Sequence, residues 1–267
     1  MMRLRRPSAQ PPLHFRRMEV KYLLPDRLVP ALLERIAPYT EVDPFLVALG
    51  QGQTQYPVAS LYFDSADLHA LAEKDAGLLS RRKLRLRTYA EDFSERAACF
   101  LEIKRRHDFV VSKDRLALSV GRVSHAPTED LLSHLLHRIE AEANVTVEAN
   151  LLHRWYNLQP TALVRYRRIP LVARHDRRFR VTIDRDLAGF WRPAQFLGPV
   201  PLHRCLLGQS VIELKWNHAV PFWFHAAIQD FNLVRTAFSK YAITVLSLRD
   251  VFSGDFTSIL RPIASFF

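Results

Sequence analysis

The heptapeptide "KLRLRTY", Lys83 to Tyr89, sets Lys83, Arg85 and Arg87 against Leu84 and Leu86. Successive side chains of a strand point to opposite faces, so this spacing predicts a strand with one apolar and one purely cationic face. The design recurs along the chain. "RMEVKY" puts Arg17, Glu19 and Lys21 on one face, and "CFLEIKRR" does the same with Glu102, Lys104 and Arg106. "VIELKW" aligns Glu213 with Lys215, "FRVTIDR" aligns Arg180, Thr182 and Asp184, and "LVRYRRI" aligns Tyr166 with Arg168. A single such strand reads as the solvated face of a sheet. Six strands that stack Lys and Arg, with Glu-x-Lys three times over, also fit a closed barrel whose lumen is the charged face. Cations crowded in a lumen need an anion to neutralise them. Glutamates interspersed among them suit a divalent metal, which takes oxygen ligands. Cations plus metal-binding carboxylates are the equipment of phosphoryl transfer, where positioning and charge neutralisation do most of the chemistry.

The rest of the chain sets the frame. In 267 residues, 38 Lys and Arg against 27 Asp and Glu leave a formal charge of +11, which points to an anionic partner. A hydrophobic fraction of 48% suffices for a packed core. Strand-like segments crowd residues 56–118 and 162–216, and helical spacing appears near residues 26–39, 66–77, 128–158 and 220–252. The pattern predicts an α+β fold, an antiparallel β-barrel with peripheral helices, with no regular βαβ alternation. Residues 1–13 read as a disordered basic lead-in, and residues 14–267 as one domain. Cys99 and Cys205 are too few for a disulfide framework or a structural zinc site and read as buried small hydrophobes. No apolar run reaches the ~18 residues of a membrane span, and the N-terminus lacks an apolar signal core, so the expected location is cytoplasmic. There is no glycine-rich phosphate loop and no G-x-S-x-G elbow.

Individual residues carry their own expectations. Asp64 in "YFDS" reads as a cap for the helix that follows rather than a ligand. Asp184 reads equally as a site residue or as a salt-bridge partner of Arg180 or Arg185. Trp155, Trp191, Trp216 and Trp223 read as core.

Nine short segments, "FRRMEVKYLL", "SLYFDS", "KLRLRTY", "FLEIKRR", "SKDR", "VRYRR", "VTIDRDL", "VIELKW" and "FSKY", stand in an order that resembles the VTC-type polyphosphate polymerase domain. That domain is a triphosphate tunnel metalloenzyme, in the superfamily that also holds the CYTH hydrolases and adenylate cyclases. The resemblance covers about residues 14 to 252. It implies a tunnel barrel, ATP as donor, a polyphosphate chain as product and Mn2+ or Mg2+ as cofactor; no specific nucleic acid partner and no membrane span are expected. Carried over by motif, Lys21, Arg85, Arg87, Lys104, Arg168 and Lys240 are the expected catalytic residues. Lys113, Tyr166 and Ser239 are expected to bind substrate, joined by Arg106 and Lys215. Glu213 is the expected principal metal ligand, with Glu19 and Glu102 as further candidates. The hydrolase branch usually opens with Glu-x-Glu-x-Lys, whereas Arg17 takes the first position here, which favours the polymerase branch. A hydrolase of triphosphate or short polyphosphate and a non-catalytic polyphosphate-binding module are the alternatives.

Overall fold

The computed structural model describes residues 18–49, 52–90, 98–108, 110–119, 128–138, 144–196, 199–217 and 219–253. The lead-in at 1–13 and Arg17 lie outside them. The first half of the chain forms β1 (Met18–Pro25), α1 (Val29–Ile36), β2 (Thr40–Val42), α2 (Pro44–Leu49), β3 (Tyr56–Asp64), α3 (His69–Asp75), β4 (Ser80–Thr88), β5 (Ala98–His107) and β6 (Val110–Ser119). Two helices follow, α4 (Thr128–Arg138) and α5 (Asn144–Tyr156). The chain then runs through β7 (Gln159–Ala173), β8 (Arg180–Trp191), β9 (His203–Arg204), β10 (Gln209–Trp216), α6 (Phe222–Asp230) and α7 (Lys240–Ser253). No helix among the described residues is long and apolar enough to cross a membrane.

Strands β1, β10, β8, β7, β3, β4, β5 and β6 lie side by side in that order, all antiparallel, with β2 on β7 and β9 on β8. Register carries the charged phase from strand to strand. Lys21 lies opposite Glu213, Asp184 opposite Arg168, Tyr62 opposite Arg85 and Arg85 opposite Glu102. Opposed residues of an antiparallel pair project to the same side, so one face of the whole sheet collects the charges.

The expected closed barrel is an open one. The sheet curls until Glu19 on β1 meets Lys104 on β5 at 3.1 Å, yet among the described residues β1 and β6 share no ladder. One cause is visible on β1. Its free edge is taken by the segment before α7, through a bridge between Tyr22 and Arg235 and an N–H of Thr236 donating to the Lys21 carbonyl at 2.8 Å. A strand edge so occupied is not available for pairing.

Apolar residues of the opposite phase point outward under helices. Leu84, Leu86, Leu101 and Ile103 pack against Leu131, Leu135 and Leu152 of α4 and α5. Ile212, Leu214, Val181 and Ile183 pack against Leu32, Ile36, Trp223 and Phe224 of α1 and α6. Leu86, Leu101 and Ile183 are fully buried, each worth about 1.5–3 kcal/mol of transfer free energy. Helix α7 instead enters the inner face, packing Tyr241, Ala242 and Val245 against Tyr62, Val164 and Val211. It approaches β8 so closely that a Cβ on Gly189 would lie 2.4 Å from Thr244 Cγ2, so only glycine fits there.

Two expectations are corrected. Trp155 is exposed rather than core, because it stands with Val147 and Leu151 on the outward stripe of α5. Trp191 is half-buried with Arg192 over its ring, while Trp216 and Trp223 are core. Asp64 does cap α3: its carboxylate accepts from the N–H groups of Ala70 and Leu71 at 2.8 and 3.2 Å, and from the Tyr241 hydroxyl.

Candidate functional site

Burial separates the two readings of the cationic face. Arg85 and Arg87 are each 7% exposed, Arg168 8%, Glu213 5% and Glu102 0%. A solvated sheet face would leave such groups in water, so the charges line an interior. The expected residues, Arg106 excepted, converge there from β1, β4, β5, β6, β7, β10 and the start of α7.

Glu102 is the hub of one half. Its Oε2 accepts from Arg85 Nε and Nη2 at 2.9 and 2.7 Å, and its Oε1 from Lys113 Nζ at 2.7 Å. Arg87 lies 3.8 Å from the same carboxylate, and its Nε donates to Ser60 Oγ at 3.0 Å. Arg85 Nη1 donates to the Tyr62 hydroxyl at 2.9 Å.

The other half has Glu19, Glu213 and Asp184. Glu19 accepts from Lys21 and Lys104 at 2.8 and 3.1 Å. Glu213 accepts from Lys215 at 2.6 Å and lies 3.5 Å from Arg168 Nη2. Asp184 takes a two-pronged contact from Arg168 at 2.6 and 2.8 Å and a third from Lys240 at 2.6 Å. The expectation that Asp184 pairs with Arg180 or Arg185 is therefore corrected. Register sets Asp184 opposite Arg168, Arg185 falls on the other face of β8, and Arg180 lies 3.7 Å from Asp43 instead.

Tyr166 lies beneath Arg168 and Lys240, whose cations sit 5.4 and 4.9 Å from its ring centre. Ser239 accepts from Lys83 Nζ at 3.2 Å, and the Ala242 N–H reaches back to its Oγ. Arg106 stands apart. It is exposed at the end of β5, where its Nε donates to the Asp108 carbonyl.

Protonation follows from this crowding. Burial pushes the Glu102 carboxyl up, but Arg85, Arg87 and Lys113 outweigh it and hold the group down at about 2. Burial and the neighbouring Glu213 raise Glu19, and Lys21, Lys104 and Lys215 overcome them to keep it ionised. Burial also raises Glu213, and Lys215, Lys21 and Arg168 bring it well below the usual carboxylate range. Two of the lysines show the opposite strain, while burial is outweighed by the carboxylates beside Lys21 and Arg168, which hold those cations above their usual values. Burial lowers Lys104 to about 8, helped by Lys21 and resisted by Glu19. Burial and nearby Lys104 and Arg81 lower Lys83 to about 8 as well, against the pull of Tyr62. Burial would raise the Tyr62 phenol, yet Arg85 and Arg87 bring it down to about 7. Lys21, Arg85, Arg87, Lys104, Lys113, Arg168, Lys215 and Lys240 thus meet Glu19, Glu102, Asp184 and Glu213, and Lys83 adds a further cation on Ser239. The excess of positive charge is what a bound polyanion would neutralise.

Among the described residues no three His, Cys, Asp or Glu side chains converge. Glu19 and Glu213 nevertheless act on each other electrostatically, and both are held ionised. Two ionised carboxylates fit a hard ion of the magnesium type, which takes one or two carboxylates and completes its shell with water and substrate phosphates. Glu102 is engaged by Arg85 and Lys113 as Glu213 is by Lys215 and Arg168, but it sits in the other half of the site.

The family model for the VTC domain matches residues 16–249. The chain belongs to the VTC domain family. Similar solved structures include a candidate adenylate cyclase from Bacillus halodurans, 12% identical, with a TM-score of 0.46 over 83% of this chain and 92% of that one. Another is a candidate adenylyl cyclase from Hippeastrum described as having a dominant triphosphatase activity, 16% identical, with a TM-score of 0.46 over 92% of this chain and 100% of that one. No curated protein matches the sequence. Within this VTC domain, the alternation argument passes over one group that the site contains, Tyr62, which lies in phase with Arg85 across β3 and β4. For Asp184 it gives the face but not the partners, Arg168 and Lys240. Tyr62 had a usable signal, since "SLYFD" alternates Ser60 and Tyr62 against Leu61 and Phe63.

Proposed function

We propose that this chain is an ATP-dependent polyphosphate polymerase that moves the terminal phosphate of ATP onto a growing phosphate chain. The observation that supports it most is the interior cationic face of Arg85, Arg87, Arg168, Lys104 and Lys21, set beside the ionised pair Glu19 and Glu213. Guanidinium groups match phosphate oxygens with directed, charge-assisted hydrogen bonds. In this reading Arg85, Arg87 and Arg168 hold the triphosphate, with Lys104 and Lys21 against its outer oxygens. Lys113, Tyr166 and Lys215 shape the same wall. Lys240, Ser239 and Lys83, gathered at the start of α7, flank the passage of the polymer.

A terminal oxygen of the acceptor chain attacks the γ-phosphorus of ATP. The bond from that phosphorus to the β–γ bridging oxygen breaks, and ADP leaves with the electron pair. Fixed cations offset the negative charge on the transferring and leaving groups without having to reorganise. When bound, Mn2+ or Mg2+ held by Glu213 with Glu19 would add positive charge beside the phosphate oxygens. Glu102 serves as the standing counter-ion of Arg85 and Arg87. A cytoplasmic site, where ATP is made and used, belongs to the same proposal.

Incubation with ATP and Mn2+, followed by gel separation of the products, tests the proposal. The expected result is a ladder of polyphosphate with ADP formed alongside it. Free phosphate with no ladder would replace the proposal with a triphosphate hydrolase, and recovery of intact ATP would leave a binding module.

A further inference from the structure

The wall of the tunnel between Glu213 and Arg168 contains a polar group that the fold leaves unused. Thr182 of β8 is 7% exposed, and its Oγ1 has no hydrogen-bond partner among the described residues. Its place is fixed by register: Glu213 lies opposite on β10, Pro170 opposite on β7, and Asp184 follows two residues along its own strand. Pro170 offers the hydroxyl no side-chain partner. The Glu213 carboxylate faces Lys215 and Arg168, and Asp184 faces Arg168 and Lys240. A buried hydroxyl is ordinarily hydrogen-bonded, and one without a partner destabilises its fold. A valine would fill the same volume without that penalty.

We propose that Thr182 is a substrate-binding residue whose hydroxyl donates a hydrogen bond to a phosphoryl oxygen of the tunnel's occupant, beside Glu213. The inference rests on the reading of the tunnel as a phosphate-chain site and adds a neutral donor to its charged ones. A neutral donor has a distinct use there. It fixes the rotation of a phosphoryl group without raising the net charge of a wall that already holds excess cations. The occupant it recognises is an inorganic or nucleotide phosphate chain.

A second orphan hydroxyl provides the control. Thr146 on α5 is fully buried, and its Oγ1 also lacks a partner, but its helix packs on the outward face of β5 and β6. The experiment compares wild type, Thr182→Val, Thr182→Ser and Thr146→Val. Each is titrated calorimetrically with tripolyphosphate in metal-free buffer, and each is thermally unfolded without ligand. Thr182→Val is expected to bind about tenfold more weakly, the loss of one hydrogen bond to a charged acceptor, with an unfolding temperature equal to or above wild type. Thr182→Ser should bind within about threefold of wild type, and Thr146→Val should bind as wild type does. Unchanged affinity in Thr182→Val, while wild type binds, would overturn this inference and leave the tunnel reading standing. Weaker binding accompanied by a lowered unfolding temperature would also overturn it, since the hydroxyl would then be supporting the fold. Wild-type protein that takes up no tripolyphosphate would overturn the tunnel reading itself.

Discussion

Glu213→Gln should lower Mn2+- or Mg2+-dependent turnover about a hundredfold or more, the size of effect seen when a positioned electrostatic stabiliser is lost. The same variant should still bind tripolyphosphate in metal-free buffer, as tightly as wild type or more so. The two outcomes differ because Glu213 has two effects on a bound phosphate chain. As one of the paired ionised carboxylates Glu19 and Glu213, it would hold the divalent ion. As a buried negative charge 2.6 Å from Lys215, it also repels the phosphates, and glutamine removes that repulsion while keeping the shape. Lys21, Lys104 and Lys215 remain to grip the anion. Steady-state kinetics with metal and calorimetry without it, on one preparation, give both numbers. Full metal-dependent turnover in the variant would remove Glu213 as metal ligand and leave Glu19 the better candidate.

Glu102→Gln should instead weaken the fold, by about 3 kcal/mol or more in the absence of ligand. Removing one partner of a buried ion pair leaves the other charge uncompensated, at a cost of roughly 3–5 kcal/mol. Glu102 is fully buried and bonds Arg85 and Lys113 directly, with Arg87 at 3.8 Å. Its neutral replacement would therefore leave two buried arginines facing each other without a carboxylate. Saturating tripolyphosphate should recover much of the loss, because an anion that binds only the folded state stabilises it and supplies the missing charge. Urea unfolding of both proteins, with and without tripolyphosphate, measures this. Equal stability of variant and wild type without ligand would mean that Arg85 and Arg87 are solvated, against their burial here.

The charged interior was legible because a strand alternates with a period of two. That rule alone places Lys21, Arg85, Lys104, Arg168 and Glu213 in a common phase, and pairing register then brings the strands together. What the rule cannot supply is the partner of each charge. Asp184 sits one residue from Arg185 and four from Arg180 in sequence, but it bonds Arg168 on the neighbouring strand and Lys240 on a helix 56 positions away. The closure of the sheet was equally hidden. The bridge from Tyr22 to Arg235 that occupies the edge of β1 joins the two ends of the chain, and no local pattern announces it. The short β2 and α2 in "TEVDPFLVAL" carry too few residues for a clear period. The exposure of Trp155 is hidden from the sequence for a related reason. An apolar i, i+4, i+8 stripe marks one face of a helix, and it does not say whether that face meets the sheet or the solvent. The orphan hydroxyl of Thr182 is visible only once its neighbours are in place.

The central claim is that the interior cationic face holds a phosphate chain. Calorimetric titration of metal-free protein with tripolyphosphate, comparing wild type with Arg87→Ala, tests it most directly. Arg87 is the informative choice, since its nearest carboxylate is 3.8 Å away and its charge is the least neutralised by the fold among the three buried arginines. The account predicts saturable binding by wild type and a loss of more than about 1.5 kcal/mol in the variant, the contribution of a charge-assisted contact to a desolvated phosphate. Wild-type affinity in Arg87→Ala, or no saturable binding by wild type, would contradict it.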